Sequence, residues 1–225
     1  MLKEKKTMSV FEKIFECLAK DDKTKPAFIV CKELLLSEKS NDEPLLLKFV
    51  AFKRSTKAGW DGYVETPGSD ASRKLIGYFN ITTKNKMKFL YKKMDKMKED
   101  EFGISPIIIK GKKEFKIPMI DFVGSDIGSD TFQFFAYKLG KEFPEAKGSK
   151  LMIFSSGRSY HGYLNKLVTN EAFYRFEKFL AHSANSIVDQ EWVKCDVKIL
   201  RWSRIPNRFG CGGIEPQFLK SFNIP

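Results

Sequence analysis

The stretch Leu151–Tyr163, L-M-I-F-S-S-G-R-S-Y-H-G-Y, places a guanidinium, a hydroxyl and an imidazole side by side at Arg158, Ser159 and His161. The apolar run Leu151–Phe154 has the character of a buried strand. Ser155, Ser156 and Gly157 supply a tight turn, and Tyr160, Gly162, Tyr163 and Leu164 carry the chain back as a second strand. Residues two apart in an extended segment share a face, so Ser159 and His161 point the same way. With Arg158 beside them they form a cradle for phosphate oxygens. The residues alone also fit a plain hairpin that carries a surface histidine.

Two further stretches hold acids where chemistry could use them. Phe115–Val123, F-K-I-P-M-I-D-F-V, runs into Gly124, Ser125 and Asp126. An apolar strand there delivers Asp121 to its end. In a polymerase-type site a carboxylate at such a place holds a divalent metal, magnesium or manganese. Asp121 could equally cap the turn from strand to loop. The run from Val188 to Arg208, V-D-Q-E-W-V-K-C-D-V-K-I-L-R-W-S-R-I-P-N-R, combines Asp189 with Arg201, Arg204 and Arg208. Read as residues, it is a helix over 188–197 followed by a strand. Asp189 is then a charge favoured by the macrodipole at the helix N-terminus, and Asp196 is the lesser acid.

In this order the three stretches resemble the motifs of the archaeo-eukaryotic primase (primase-polymerase) superfamily. Its first motif is an apolar strand with an acid, one spacer and a second acid. Asp121 matches the first acid, Val123 stands where the second belongs, and Asp126 lies three residues further on. The second motif, a serine, a spacer and a histidine after a Ser-Gly-Arg turn, is matched by Ser159 and His161. The third, an acid followed later by an Arg in an apolar run, is matched by Asp189 and by Arg201 in L-R-W-S. The likeness spans Phe115 to Arg208.

The resemblance implies an α+β protein. Its catalytic core is an antiparallel sheet of the RNA-recognition-motif (RRM) type with an additional N-terminal α/β lobe. Residues 1–110 form that lobe and 111–225 the motif-bearing core of one primase-polymerase-like domain. It implies a metal-dependent, template-directed nucleotidyltransferase that uses nucleoside triphosphates. Asp121 and Asp189 are then the catalytic acids. With Asp126 as a third candidate they hold Mg2+ or Mn2+, while Arg158, Ser159, His161 and Arg201 hold the nucleotide. The implied partners are a single-stranded template or primer-template and nucleoside triphosphates, with a helicase or other replication protein alongside. The valine at 123 leaves open an alternative: a catalytically degenerate relative that binds nucleic acid or nucleotide without transfer.

Around these motifs, periodicity predicts the positioning elements. A helix follows a capping box at Ser9 and Glu12, and a mixed region holds Phe28 to Leu36. Strands run over 45–52 and 75–81. Residues 53–72 form a loop whose Trp60 and Tyr63 could stack on bases or pack on the body. The helix 84–98 has a lysine face, including Lys88 and Lys92, that could track a phosphate backbone or simply be solvated. Gly103, Ser105 and Pro106 read as a break before a short strand over 107–109. Helices follow over 131–143 and from a cap at Asn170 to Ala184, with His182 in a structural place. Arg204 and Arg208 extend the basic surface beside Arg201.

Composition agrees with a polyanionic partner. The 225 residues hold 40 Lys and Arg against 28 Asp and Glu, a formal charge of +12, which favours nucleic acid, nucleotides or an anionic surface. An AT-rich genome would enrich lysine as well. Hydrophobic residues at 42% exclude disorder of the whole chain. Cys17, Cys31, Cys195 and Cys211 lack the paired spacing of a zinc site. They point to a reducing compartment. No apolar run has the length of a membrane span and no signal core follows the charged N-terminus, so the expected location is the cytoplasm or nucleoid.

Overall fold

The computed structural model describes residues 26–38, 44–52, 73–80, 101–124, 126–157, 159–184, 186–195, 198, 200–201 and 216–225. The expected helices near Ser9 and over 84–98 lie outside them, as do Trp60, Tyr63, Lys88, Lys92, Arg158, Arg204 and Arg208. In chain order the elements are α1 (Pro26–Ser37), β1 (Leu45–Phe52), β2 (Arg73–Asn80), β3 (Glu101–Lys110), β4 (Lys113–Lys116), β5 (Met119–Phe122), α2 (Ser129–Glu142), β6 (Lys150–Ser155), β7 (Tyr160–Leu164), α3 (Asn170–Ser183), α4 (Gln190–Lys194), β8 (Leu200–Arg201) and β9 (Gln217–Asn223). The protein is α+β, with two antiparallel sheets.

The first sheet runs β2-β1-β3-β4, and β8 joins the edge of β3 through Gly103↔Arg201 and Ile104↔Leu200. Sequence patterning predicts β1 with the same bounds but a break at Gly103–Pro106. Instead β3 continues through that point as a ten-residue strand. The proline is accommodated by an irregularity: Leu47 pairs with Ile108 and Phe49 with Ile104, so three residues of β3 face one of β1. A bulge is where a strand tolerates a residue without an N–H. The Pro106 carbonyl accepts a bond from Ile117 N at 2.8 Å, which leads the chain toward the second sheet. The segment 115–123 is accordingly split at Ile117–Pro118, with β4 in one sheet and β5 in the other.

The second sheet has the order β5-β7-β6-β9. Helices α2 and α3 cover one of its faces. α2 buries Phe132, Phe135, Ala136 and Leu139, and α3 buries Phe173, Phe176, Phe179 and Leu180, the 3-and-4 spacing of an amphipathic helix. Phe122 of β5 meets the rings of Phe132 and Phe135 edge-on, each at 5.2 Å between centroids, and Phe135 meets Phe179 at 5.7 Å. Such ring pairs add about 0.5–1.5 kcal/mol each beyond burial. The cap of α3 is Thr169, whose Oγ1 accepts from Ala172 N at 3.2 Å, rather than Asn170, which is the first helical residue.

The region 26–37, which lacks a clean period, is helical. Pro26 occupies its first position, where the missing N–H costs nothing. Val30, Cys31 and Leu34 are fully buried in the common core. At its end Glu38 ties β3 to the segment that follows β7, accepting from Lys110 Nζ at 2.8 Å and from Leu167 N at 3.2 Å. Among the described residues no helix is long and apolar enough to cross a membrane.

Candidate active site

Strand register aligns the three motif residues along the backbone. β5 and β7 are antiparallel, with Asp121 opposite His161. On the other edge of β5, Phe122 forms a bridge with Val188. That bridge is closed by Asp189 N donating to Asp121 O at 2.8 Å and Val123 N donating to Ile187 O at 3.0 Å. The register that sets Phe122 opposite Val188 therefore sets Asp121 opposite Asp189. Directly opposed residues of an antiparallel pair project from the same face. Asp189, Asp121 and His161 thus form one row across three neighbouring extended segments. The row lies on the face away from Phe122 and the helices it packs against.

The row grades from wet to dry. Asp121 keeps 22% of its side-chain exposure and His161 only 7%, with Asp121 Oδ1 3.9 Å from His161 Nε2. That separation is beyond a direct hydrogen bond. Asp189 Oδ1 accepts from Glu191 N at 2.9 Å and Trp192 N at 3.0 Å, capping α4. Both bonds fall on one oxygen. The expectation of a helix over 188–197 shortens to Gln190–Lys194, because Val188 is taken up by the bridge to β5.

The turn between β6 and β7 completes the near end of the site. Gly157 has φ of +104°, a conformation that a β-carbon resists. Around it Ser156 N donates to Ser159 O at 2.9 Å, and the two serine hydroxyls lie 2.8 Å apart. Ser156 is buried and is the residue that sequence reasoning treated only as part of a turn. The three-residue spacing of Ser156 and Ser159 was its available signal.

The other expected residues lie outside these three segments. Asp126 is exposed in the segment between β5 and α2. Val123 is 42% exposed next to Asp121. Arg201 lies in β8, in the first sheet. Among the described residues no group of three or more His, Cys, Asp or Glu side chains is arranged to hold a metal ion. The donor set fits a more modest demand. Magnesium is commonly bound through one or two protein carboxylates and completed by water and substrate phosphates, and Asp121 and Asp189 supply two.

The AEP-like family model, described as archaeo-eukaryotic primase 1D-like, matches residues 82–209, more than half of the chain. That span includes β5, the Ser-Gly-Arg turn and Asp189. No curated protein and no solved structure matches the chain significantly.

Proposed function

From the premise that the chain belongs to the AEP-like, archaeo-eukaryotic primase 1D-like family, we propose that it is a template-directed nucleotidyltransferase that uses nucleoside triphosphates and Mg2+ or Mn2+. Family membership supports primase-like nucleotidyl transfer at the level of the family. The observation that carries the finer reading is the row of Asp189, Asp121 and His161 on one face of the second sheet. The order of elements is in keeping with an RRM-type core. The chain runs β5, α2, β6, β7, α3 and then the bridge segment 187–189, and in space the bridge segment lies beside β5, then β7, then β6.

In this reading the carboxylates of Asp121 and Asp189 hold one divalent ion. A bound ion of this kind supplies charge neutralisation at the triphosphate and a more acidic primer hydroxyl. His161, opposite Asp121 on β7, and Ser159, just before that strand, donate hydrogen bonds to phosphate oxygens. Arg158 and Arg201 add guanidinium contacts to the same phosphates. Trp60, Lys88, Lys92, Arg204 and Arg208 are assigned to the nucleic acid, by stacking and by neutralising its backbone. Asp126 is a reserve acid on the exposed side.

A second reading has its own observation. Val123 presents an exposed apolar side chain beside Asp121, so the strand offers one acid where the superfamily's pattern has two. A site so reduced could bind nucleotide or nucleic acid without transfer.

Nucleotide incorporation on a primer-template with magnesium or manganese separates the two. Asp121→Asn, Asp189→Asn and His161→Ala should each lower incorporation roughly a hundredfold or more. Asn is as good a helix cap as Asp, so Asp189→Asn removes a charge while keeping α4. A wild-type protein that binds nucleotide or nucleic acid but incorporates none selects the second reading. One that does neither refutes both.

A further inference from the structure

Lys198 is 7% exposed, and lysine is almost never so buried unless paired. Its ammonium has three partners. It lies 2.6 Å from Glu177 Oε1 on α3, donates to Cys195 O at 2.9 Å, and sits 5.8 Å from the centroid of the Trp192 ring, within cation–π range. Cys195 is the C-cap of α4 and Asp189 its N-cap. A helix of five residues is far too short to persist alone, so it exists because both ends are tied. Asp189 ties the first end through Glu191 N and Trp192 N. Lys198 ties the last carbonyl and anchors it to α3.

We propose that Lys198 is a positioning residue for Asp189, acting through α4; this rests on the reading of Asp189 as an ion-holding acid. The same two amides that fix the Asp189 carboxylate are fixed only while the helix is closed. Lys198 closes it from the far end, against the covered Trp192 ring. Its removal frees the helix, and the carboxylate beside Asp121 loses its set orientation.

The test must not confuse positioning with unfolding, since Lys198→Met alone strands the Glu177 carboxylate. The decisive variant is Lys198→Met with Glu177→Leu, which removes both charges, leaves the net charge unchanged and replaces a buried lysine and its half-buried partner by apolar groups, a change that proteins tolerate. Three measurements are made on the full chain: thermal midpoint, amide hydrogen exchange at Glu191 and Trp192, and manganese affinity by titration calorimetry. The expected result is an unchanged midpoint, at least tenfold faster exchange at those two amides, and roughly tenfold weaker manganese binding. Asp189→Asn should show the weaker binding as well. Wild-type exchange rates in the double variant overturn the proposal. Faster exchange with manganese affinity intact, while Asp189→Asn weakens it, overturns it too. If the wild type binds no manganese, the reading of the site falls, whereas faster exchange at the two amides still upholds the hold of Lys198 on Asp189.

Discussion

Gly162 sits between His161 and Tyr163 in β7, on the face where Phe122 packs. A β-carbon placed there would meet Phe122 Cε2 at 2.8 Å, Leu151 Cδ1 at 3.3 Å and Ile120 Cβ at 3.4 Å. Carbon atoms at rest stand about 3.5–4.0 Å apart, so the Phe122 ring must retreat by roughly 0.7 Å or more. It has nowhere to go. Its far side is braced edge-on by Phe132 and Phe135, and it is fully buried. Overpacking of a core costs about 1–3 kcal/mol. For a chain of this size each kcal/mol lowers the melting temperature by roughly 2–4 °C. Gly162→Ala should therefore melt roughly 2–12 °C below the wild type.

Phe122 adjoins Asp121, so the displacement reaches the site. A misplacement of about 1 Å can cost on the order of a hundredfold in rate, and Gly162→Ala should lose roughly ten- to a hundredfold in kcat/KM for nucleotide incorporation. Phe122→Leu makes room for the added methyl. The double variant should lose less stability than the two single variants together, by about 1 kcal/mol, read from denaturant melts as a double-mutant cycle. Stability of Gly162→Ala equal to wild type, or a cycle additive within about 0.5 kcal/mol, would falsify the close-approach argument.

Cys31 is wholly buried, and desolvation pushes its thiol well above the ordinary range; alkylation at pH 8 followed by peptide mapping should leave it unmodified in the native protein while partly exposed Cys195 reacts. The folded state thus keeps a proton that the unfolded thiol gives up above about pH 8.5. The Cys31 contribution is full below that pH and declines by about 1.4 kcal/mol per pH unit above it; Cys31→Ala should flatten this alkaline slope in melts between pH 8 and 10. Val123→Asp adds a carboxylate at an exposed position, and calorimetry should show manganese binding at least several-fold tighter than wild type; unchanged affinity would count against Asp121 as an ion ligand.

Local patterning carried much of the fold. The run L-L-L-K-F-V-A-F is β1 residue for residue, and the phenylalanine spacing over 132–139 and 173–180 marks two helices that bury those rings. The failures share a cause: each depends on a partner distant in sequence. Gly103, Ser105 and Pro106 look like a break because nothing local says that β1 will absorb them as a bulge. Pro118 divides one apolar run between two sheets because Lys116 pairs with Ile107 while Asp121 pairs with His161. The mixed region after Pro26 becomes a helix because both sheets contact what it offers, Glu33 reaching Lys150 and Glu38 reaching Lys110.

The candidate site was legible as residue types but not as a mechanism of assembly. Three spaced motifs single out candidate side chains, yet no spacing says that Asp189 would arrive beside Asp121 on a single antiparallel bridge rather than on a full strand. That difference has consequences. His161 is held by a register of four pairs between β5 and β7, whereas Asp189 is held by one backbone bond to Asp121, one from Val193 N and its own cap on a five-residue helix. Local opening follows the number and burial of such ties. The histidine side of the row is therefore the rigid side and the Asp189 side the one that yields first. An ion bound between the two acids would stabilise most what is tied least, so ion binding and closure of α4 should rise and fall together. Hydrogen exchange at Glu191 and Trp192, with and without manganese, measures that coupling directly: protection must increase with manganese in the wild type and fail to do so in Asp121→Asn.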